Sequence, residues 1–356
     1  MKTIIHNSII IIALLLAGLK TSAQTSAADS IDFTNDPKIE TWLKQNHVPV
    51  LGLGVIKNGQ IQKLKVYGKL KNGEQAPLNT VFNVASITKT ITNMVALKLV
   101  GEGKLDLDEP LYKYWIDPDL ANDDRYKLLT ARIILTHQTG FANWRWLNKS
   151  KKLEFGFTPG TKYQYSGEGF EYLRKALENK FNKKLDVLAQ ELLFTPLHMN
   201  DTKYIWDESI QNRFAIGYNE KDVAYAPTKN TEANAADLLK TTVEDYSKFV
   251  MALLNGKVLK PAVFDEMVKH QVNLKDDKYF GLGWEMYDKL GDGEYAISHG
   301  GSDPGVRTQV FLFPKSKSSL IIFTNVDDGY KVYEPLLSAY FKDMGKKIFA
   351  IEMKGR

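Results

Sequence analysis

Near its beginning the chain carries two apolar runs that are separated by a turn signal. The first run covers residues 48–56, the second covers residues 61–67, and Asn58-Gly59 lies between them. Both runs contain the branched and aromatic residues that favour strands. Asparagine followed by glycine is typical of a two-residue hairpin connection, because both residues readily adopt a positive φ. The pattern therefore predicts a β-hairpin.

The middle of the chain has the apolar spacing of helices. Ile87, Ile91, Met94 and Val95 recur at intervals that place them on one helical face, and Gly101 ends the run. The same kind of spacing predicts three further helices, over residues 172–181, 185–193 and 243–254.

The last part of the chain returns to short strand-like runs. They cover residues 283–287, 295–298, 308–313 and 319–324. Glycine, aspartate, proline and lysine separate these runs, as is typical of turns between strands. A helix is predicted over residues 330–341, after the final strand.

Strands at both ends of a long helical middle indicate a protein of the α/β (α+β) class. We predict an antiparallel sheet formed from both chain ends, flanked by helices, with a large and mostly helical inserted domain. The sheet is expected from residues 48–69 and 283–345, and the insertion from residues 70–282. Together they form one domain over residues 38–345.

The first 23 residues have the pattern of a secretory signal peptide. Lys2 precedes an apolar run at residues 9–19, and small residues end the segment at Ala23. The run is shorter than the roughly 20 residues of a membrane-spanning helix, which leaves an uncleaved anchor as the alternative. Residues 24–37 are mostly small and polar and suit a flexible leader. We therefore predict a secreted, periplasmic protein with no stable membrane span after removal of the signal.

The composition is that of an ordinary globular protein without disulfides. The chain has no cysteine, so its stability must come from its core. More than 300 residues remain without the signal, 44% of the chain is hydrophobic and 25% is charged, which allows a large core. The net charge of +5 is small and the lysines are scattered, so nucleic acid is not an expected partner.

Ser86-Ile-Thr-Lys89 is the first candidate for catalytic chemistry. Three residues are nearly one helical turn, so the hydroxyl and the amine share a face of the predicted helix. Serine needs a partner to take its proton before it attacks a carbonyl. Lysine is such a partner only when burial or neighbouring charge lowers its pKa. The spacing alone is common, and a chance occurrence is the alternative.

Two later segments offer further parts of a site. Tyr165 is followed by a Ser-Gly pair, and a tyrosine beside a cationic lysine loses its proton more easily and acts as a general base. The segment 298–302, Ser-His-Gly-Gly-Ser, comes just after a predicted strand. Its glycines let the backbone approach a ligand, and its N–H groups suit an oxyanion. The structural alternatives are a packed aromatic ring and a glycine-rich turn.

In their order and spacing, these segments resemble the serine β-lactamase-like hydrolases. The similar branch contains class C β-lactamases, D-alanyl-D-alanine carboxypeptidases and related esterases, and the resemblance extends from about Pro49 to Phe341. The matching motifs are Phe82-Asn-Val-Ala-Ser-Ile-Thr-Lys89, Leu105-Asp-Leu-Asp-Glu-Pro110, Ile134-Leu-Thr-His-Gln-Thr-Gly140, Phe157-Thr-Pro-Gly160, Leu193-Phe-Thr-Pro-Leu-His-Met199, Tyr279-Phe-Gly-Leu-Gly-Trp284 and His299-Gly-Gly-Ser-Asp-Pro-Gly305. The resemblance implies a β-lactamase/transpeptidase-like fold.

The resemblance also implies catalytic roles. Ser86 is the nucleophile that forms an acyl-enzyme, and Lys89 and Tyr165 share the base and acid work. The backbone N–H groups of Ser86 and Ser302 form the oxyanion hole. His137 matches a motif that is structural in this family, so no catalytic role is assigned to it.

Two departures from the family pattern affect the substrate pocket. His299, followed by Gly300 and Gly301, stands where many relatives begin a Lys-Thr-Gly motif, so a permanent cation becomes a group that is mostly neutral at pH 7. Gly167 stands where relatives usually carry the asparagine that holds the amide of the substrate. These substrate-binding positions make efficient hydrolysis of β-lactams less favourable, although Glu168 lies next to the missing amide.

A loop with two indoles and a guanidinium is the candidate for substrate selectivity. Trp144, Arg145 and Trp146 follow one another after the motif that ends at Gly140. Loops over a cleft commonly supply specificity. We expect Trp144 to form a wall of the substrate pocket and Arg145 to be available to a carboxylate. The alternative is that both tryptophans pack under the loop.

Taken together, the sequence predicts an exported serine hydrolase that forms an acyl-enzyme with an ester or amide. The substrate would be a small ester, a D-amino-acid peptide or a β-lactam-like molecule, and the partner is thus a small-molecule or peptidoglycan-derived substrate. A penicillin-binding or peptidoglycan-binding relative with little turnover is the alternative. The six histidines have no metal-ligand spacing and the chain has no Gly-x-Ser-x-Gly elbow, so no metal or other cofactor is expected.

Overall fold

The computed structural model of the protein describes residues 32–354. The predicted signal peptide and the first part of the predicted leader lie outside these residues. Helix α1 (Asp36–Gln45) begins within the last residues of that leader. Asn35 caps this helix, because its side chain accepts a hydrogen bond from the Lys38 N–H. Within residues 32–354, no helix is both long enough and apolar enough to cross a bilayer.

A large antiparallel sheet forms the centre of the molecule. In chain order the strands are β1 (Val50–Lys57), β2 (Gln60–Gly68), β3 (Val81–Asn83), β4 (Lys240–Thr242), β5 (Val272–Lys275), β6 (Lys278–Phe280), β7 (Glu285–Gly291), β8 (Glu294–Asp303), β9 (Val306–Phe313) and β10 (Ser318–Thr324). Eight of them pair in the order β2-β1-β10-β9-β8-β7-β6-β5, and β3 pairs with β4 separately. Leu53 of β1 lies opposite Ile322 of β10, which confirms a sheet formed from both chain ends.

In chain order, most of the helices fall between the first two strands of the large sheet and its later strands. After α1 they are α2 (Thr88–Gly101), α3 (Ala131–Leu135), α4 (Gly167–Phe181), α5 (Leu185–Ala189), α6 (Val243–Leu254), α7 (Pro261–Met267) and α8 (Tyr333–Met353). Helix α6 has the predicted bounds. Thr242 fixes its start by accepting a hydrogen bond from the Asp245 N–H, and its C-cap Asn255 precedes a turn at Gly256.

The predicted hairpin is present between β1 and β2. Asn58 has a φ of 51° and Gly59 a φ of 72°, as a two-residue turn with two positive φ angles requires. Lys57 pairs with Gln60 directly across this turn.

Several elements differ from the sequence-based prediction. Strands β5 and β6 fall in the part that was expected to be helical, because they are short and join the edge of the sheet through long-range pairing. Helix α5 ends at Ala189, and residues Gln190–Phe194 continue as a wider π-helical turn. Helix α8 extends well beyond residue 341 and changes direction at Lys342, whose φ is 45°.

The sheet separates two apolar cores. Val50 and Ile56 of β1 face the core that includes helices α2 and α6, whereas Leu51, Leu53 and Val55 face the core that includes α1 and α8. This alternation is the two-residue period of a strand buried on both faces. Helix α2 consequently lies inside the molecule, and the turn before it contacts strand β8.

Candidate active site

A strained turn between β3 and α2 carries Ser86. Residues Ala85–Ile87 form one 3-10 turn, and Ala85 has a φ of 46°, which is unfavourable for a residue with a side chain. The Ala85 N–H donates to Asn83 Oδ1 at 3.0 Å, and Thr88 Oγ1 donates to the Ala85 carbonyl at 2.6 Å. These bonds hold Ser86 in the turn just ahead of helix α2.

Lys89 lies in the first turn of α2 with its side chain fully buried. Its Nζ donates to Ser86 Oγ at 2.9 Å and to the Ala236 carbonyl oxygen at 2.8 Å. Burial lowers the pKa of Lys89 to about 8, although nearby carboxyl groups oppose this shift. About a tenth of such an amine is neutral at pH 7, far more than for an exposed lysine. The geometry therefore supplies a nucleophile and a base in contact.

Tyr165 completes the group around the nucleophile. The Lys89 Nζ lies 4.8 Å from the centroid of its ring. Burial raises the pKa of the Tyr165 phenol well above its usual value, and the interaction with Ser86 only partly offsets this. This shift is opposite in direction to the expectation that the lysine makes Tyr165 an easily ionised base. Its hydroxyl is buried beside Ser86.

The ring of His137 packs against the ring of Tyr165. The two rings lie 4.2 Å apart between centroids, and the Ser166 N–H donates to His137 Nδ1 at 3.1 Å. The ring proton is therefore on Nε2, which is buried and has no partner among residues 32–354. Burial lowers the pKa of His137 well below its usual value, so the ring stays neutral. This environment is that of a packing residue.

The His-Gly-Gly segment lies within strand β8, so the prediction of a segment after a strand is wrong. Strand β8 pairs with β9 as far as Asp303 opposite Val306. Its pairing with β7 stops earlier, at Ser298 opposite Glu285. From His299 onward, one edge of β8 has no neighbouring strand in the described sheet. Unpaired backbone groups at such an edge suit hydrogen bonds to a substrate.

Close packing explains the second glycine of that segment. A Cβ on Gly301 would lie 2.3 Å from the Val84 carbonyl oxygen, so only glycine lets β8 approach the turn that carries Ser86. His299 is buried beside it, and its Nδ1 donates to the Gly300 carbonyl at 2.8 Å. Burial and the charge of Lys89 lower the pKa of His299 to about 3. His299 is therefore neutral and supplies no cation to the site.

Gly167 is the first residue of α4, two residues after Tyr165. A Cβ at this position would lie 2.8 Å from Cη2 of Trp144 and 3.1 Å from the Asn143 carbonyl oxygen. The Trp144 indole in turn stacks on that of Trp146, with ring centroids 4.9 Å apart and planes 9° apart. The indole of Trp144 thus fills the space that a side chain at position 167 would need.

Arg145 points into a group of acids, contrary to the expectation that it would be available to a substrate carboxylate. Its Nη2 donates to Glu168 Oε2 at 2.8 Å and to Asp117 Oδ2 at 2.9 Å, and its Nη1 lies 3.2 Å from Asp119 Oδ2. Glu168 also accepts the Arg145 backbone N–H at 2.9 Å. Three carboxylates therefore neutralise the guanidinium, and Glu168 is engaged in holding the loop.

A pair of carboxyl groups beside the site was not apparent from the sequence. Asp237 follows the residue whose carbonyl binds Lys89, Asp303 follows Ser302, and the two carboxyl groups interact with each other. Asn83 Nδ2 donates to Asp303 Oδ2 at 3.3 Å. Burial and the neighbouring acid raise the pKa of Asp303 well above its usual value. These shifts predict that the pair holds a shared proton.

Replacement of Asp303 by asparagine is expected to stabilise the protein, and more so at pH 8 than at pH 5. The folded pKa of Asp303 is raised, so the native state binds an extra proton and loses stability as the pH rises from about 4 towards that pKa. An amide keeps the hydrogen bonds without needing the proton. Thermal unfolding should show a gain of about 2–4 °C at pH 8. The exposed Asp222, changed to asparagine, is the control, and a lower Tm at pH 8 in Asp303→Asn contradicts the shared proton.

The candidate site does not coincide with the large cavity at Val100 and Leu105. A cavity of about 620 Å³ lies elsewhere and is lined by residues that include Val100, Leu105, Asp108, Pro110, Arg132 and Lys180. By contrast, Ser86, Lys89 and Tyr165 meet beside β8, where the ring centroids of Tyr165 and His299 are 6.4 Å apart. Chemistry, and not volume, identifies the site.

The sequence is similar to those of known proteins. A family model described as Beta-lactamase matches residues 35–339. Protein flp of Staphylococcus aureus strain MRSA252 is 21% identical over 318 residues, which cover 83% of this chain and 63% of that protein. The chain thus spans less than two thirds of the length of this relative. A protein named Beta-lactamase from Yersinia enterocolitica is 22% identical over 356 residues, which cover 94% of this chain and 90% of that protein.

Two solved structures are similar to the protein over most of its length. The octameric penicillin-binding protein homologue from Pyrococcus abyssi has a TM-score of 0.71 at 19% identity and covers 89% of this chain and 76% of its own. A penicillin binding protein from Bacillus halodurans has a TM-score of 0.71 at 20% identity and covers 88% of this chain and 99% of its own. At such low identity these similarities establish the fold alone.

Proposed function

Because the chain belongs to the β-lactamase family, we propose that it is a serine hydrolase in which Ser86 forms an acyl-enzyme with an ester or amide. The observation that supports this most directly is the 2.9 Å contact between Ser86 Oγ and the buried Lys89 Nζ. An activated nucleophile of this kind needs a base in contact whose neutral form is accessible, and the lowered pKa of Lys89 meets that condition.

In the acylation step, neutral Lys89 takes the proton of Ser86 while Oγ attacks the carbonyl carbon. A tetrahedral oxyanion forms, and we propose that the backbone N–H groups of Ser86 and Ser302 stabilise it. The carbon–leaving-group bond then breaks. The leaving alcohol or amine takes a proton that Lys89 returns through the Tyr165 hydroxyl, so that the charges balance.

Deacylation repeats these steps with water. Water attacks the ester on Ser86 and gives its proton to the base, and the proton returns to Ser86 Oγ as the acid leaves. Because burial keeps the Tyr165 phenol protonated, we assign it the role of a proton relay and hydrogen-bond donor beside Lys89, which acts as the base. The proposed cycle uses side chains, backbone N–H groups and water.

The pocket favours a small or uncharged ester over a β-lactam. His299 is neutral and Arg145 is engaged with three acids, so neither offers a free cation to a substrate carboxylate. Gly167 offers no side-chain amide.

We further propose that residues 1–23 act as an export signal and that the hydrolase works in the periplasm.

Intact-mass spectrometry tests the proposed function. A fluorophosphonate is expected to add one phosphonyl group per chain, at Ser86, because this hydroxyl has a base in contact. Benzylpenicillin should give partial acylation, and nitrocefin should be hydrolysed slowly or not at all, since the pocket has neither a free cation nor an amide at position 167.

The result depends on where the adduct forms. Peptide mapping that places the phosphonyl group on another residue contradicts the assignment of Ser86. Stable penicillin acylation without any ester turnover would instead indicate a penicillin-binding protein with little turnover. Fast nitrocefin hydrolysis would show that the pocket does not need the missing groups.

A further inference from the structure

We propose that Trp144 determines substrate specificity by holding a flat apolar group in the acyl part of the substrate. This deepens the proposed function, on which it rests, by naming the substrate class: esters or amides of arylacetic and similar acids. The indole lies over Gly167, the first residue of α4, which follows Tyr165 by two positions in the chain.

The contact between Trp144 and Gly167 is so close that a side chain at position 167 would have to displace the Trp144 ring. The position has no left-handed backbone that would itself require glycine, so the glycine is explained by the indole and by the Asn143 carbonyl. A polar side chain beside Tyr165 is thus replaced by an aromatic surface. Aromatic rings attract other flat apolar groups by stacking and by burial of apolar area.

The loop that carries Trp144 is held rigidly. The Asn143 carbonyl accepts the N–H groups of Gly167 and Glu168, each at 3.0 Å, and Asn143 Oδ1 accepts the Gly167 N–H at 2.8 Å. Arg145 is anchored by three carboxylates, and Trp146 stacks on the other indole. These contacts fix Trp144 from both sides in the sequence. A fixed wall loses little entropy when a ligand binds, so the stacking contributes to affinity.

The rigid wall suits the acyl part of the substrate. That part stays attached to Ser86 from the first attack until deacylation, whereas the leaving group departs after the first step. Trp146 is 55% exposed, so the stacked pair of indoles continues from the site to the surface. The surface therefore accepts an acyl group that is longer than acetyl and flat.

The test compares two esters that share a leaving group, 4-nitrophenyl phenylacetate and 4-nitrophenyl acetate. In the Trp144→Ala variant, the ratio of kcat/KM for phenylacetate to kcat/KM for acetate is expected to fall about tenfold, the scale of one lost aromatic contact. A ratio that stays within twofold of the unmodified protein contradicts the proposal. Trp206→Ala removes another partly buried tryptophan, which packs on Phe214, and is the matched control.

A second variant displaces the indole without removing it. Gly167→Ala adds one methyl group that must push the Trp144 ring aside, while alanine is a better helix former than glycine. The ratio should fall here as well. Gly169 lies in the same helix as Gly167, and Gly169→Ala is the control. It adds a methyl group that contacts Thr139, and it should leave the ratio unchanged. Equal effects of both glycine variants would contradict a role for Trp144.

Binding to an inactive protein separates this inference from the proposed function. In Ser86→Ala, calorimetric titration with 4-nitrophenyl phenylacetate should give a Kd that rises about tenfold when Trp144→Ala is added. An unchanged Kd contradicts the specificity role even if Ser86 is the nucleophile. A raised Kd supports it even if fluorophosphonate labelling shows that Ser86 is not the reacting group.

Discussion

Replacement of Ser86 by alanine is expected to lower hydrolysis of 4-nitrophenyl acetate by about 10³-fold or more, to the level of the reaction without enzyme. Ser86 Oγ is the hydroxyl that Lys89 Nζ contacts at 2.9 Å, so no other serine is placed to form the acyl-enzyme in this geometry. Initial rates at several protein concentrations measure the loss. The fold should remain, because alanine fits the 3-10 turn in which Ala85 already stands.

Ser247→Ala is the matched control for this loss. Its hydroxyl is also buried, has no hydrogen-bond partner within residues 32–354 and lies in helix α6, away from the proposed chemistry. That variant should keep the activity of the unmodified protein. If Ser86→Ala retains a tenth or more of the activity, the nucleophile lies elsewhere.

Replacement of Lys89 by methionine is expected to lower kcat by about 10²–10⁴-fold, the usual contribution of a positioned base. In the unmodified protein the base must be neutral, so kcat/KM should rise with pH and level off above about 8, the pKa of Lys89. The methionine variant should lack this rise. A pH–rate profile of both proteins between pH 6 and pH 10 measures the difference. An unchanged profile in the variant contradicts Lys89 as the base.

The unfolding temperature of Lys89→Met distinguishes a variant that has lost only the base from one that has lost the fold. The folded pKa of Lys89 is lowered, so folding must bury a cation at pH values below about 8, and that penalty disappears as the pH rises towards the unfolded pKa of 10.5. Methionine carries no charge, so Lys89→Met should unfold at a higher temperature than the unmodified protein at pH 6. Lys98→Met, on the same helix but bound to the Val258 carbonyl, is the control.

Local signals predicted the elements that depend on a few neighbouring residues. The hairpin follows from Asn58-Gly59, because the two residues themselves set the turn. Helix α6 follows from its capping Thr242 and from an apolar face of regular period. The fold class followed from the distribution of such elements along the chain. The bounds of the predicted domain and signal remain predictions.

Long-range pairing explains what the sequence did not reveal. The carboxyl pair joins Asp237 to Asp303 across the site, and no local pattern connects them. The same holds for Arg145, whose acidic partners Asp117 and Asp119 come from an earlier turn. The raised pKa of Tyr165 depends on burial, which only the folded structure defines. Strands β5 and β6 exist because a sheet edge is available to them.

The pairing of β1 with β10 sets the order in which the chain can assemble. The Val50 N–H donates to Asn325 Oδ1, a residue 275 positions later, and the two strands are neighbours inside the sheet, next to its edge strand β2. During synthesis, β1 of the hairpin therefore keeps an apolar strand edge exposed until β10 has been synthesised. Such distant contacts make folding slow and leave the incomplete chain prone to aggregation. A chaperone that covers this edge would protect the nascent protein until its last strands are synthesised.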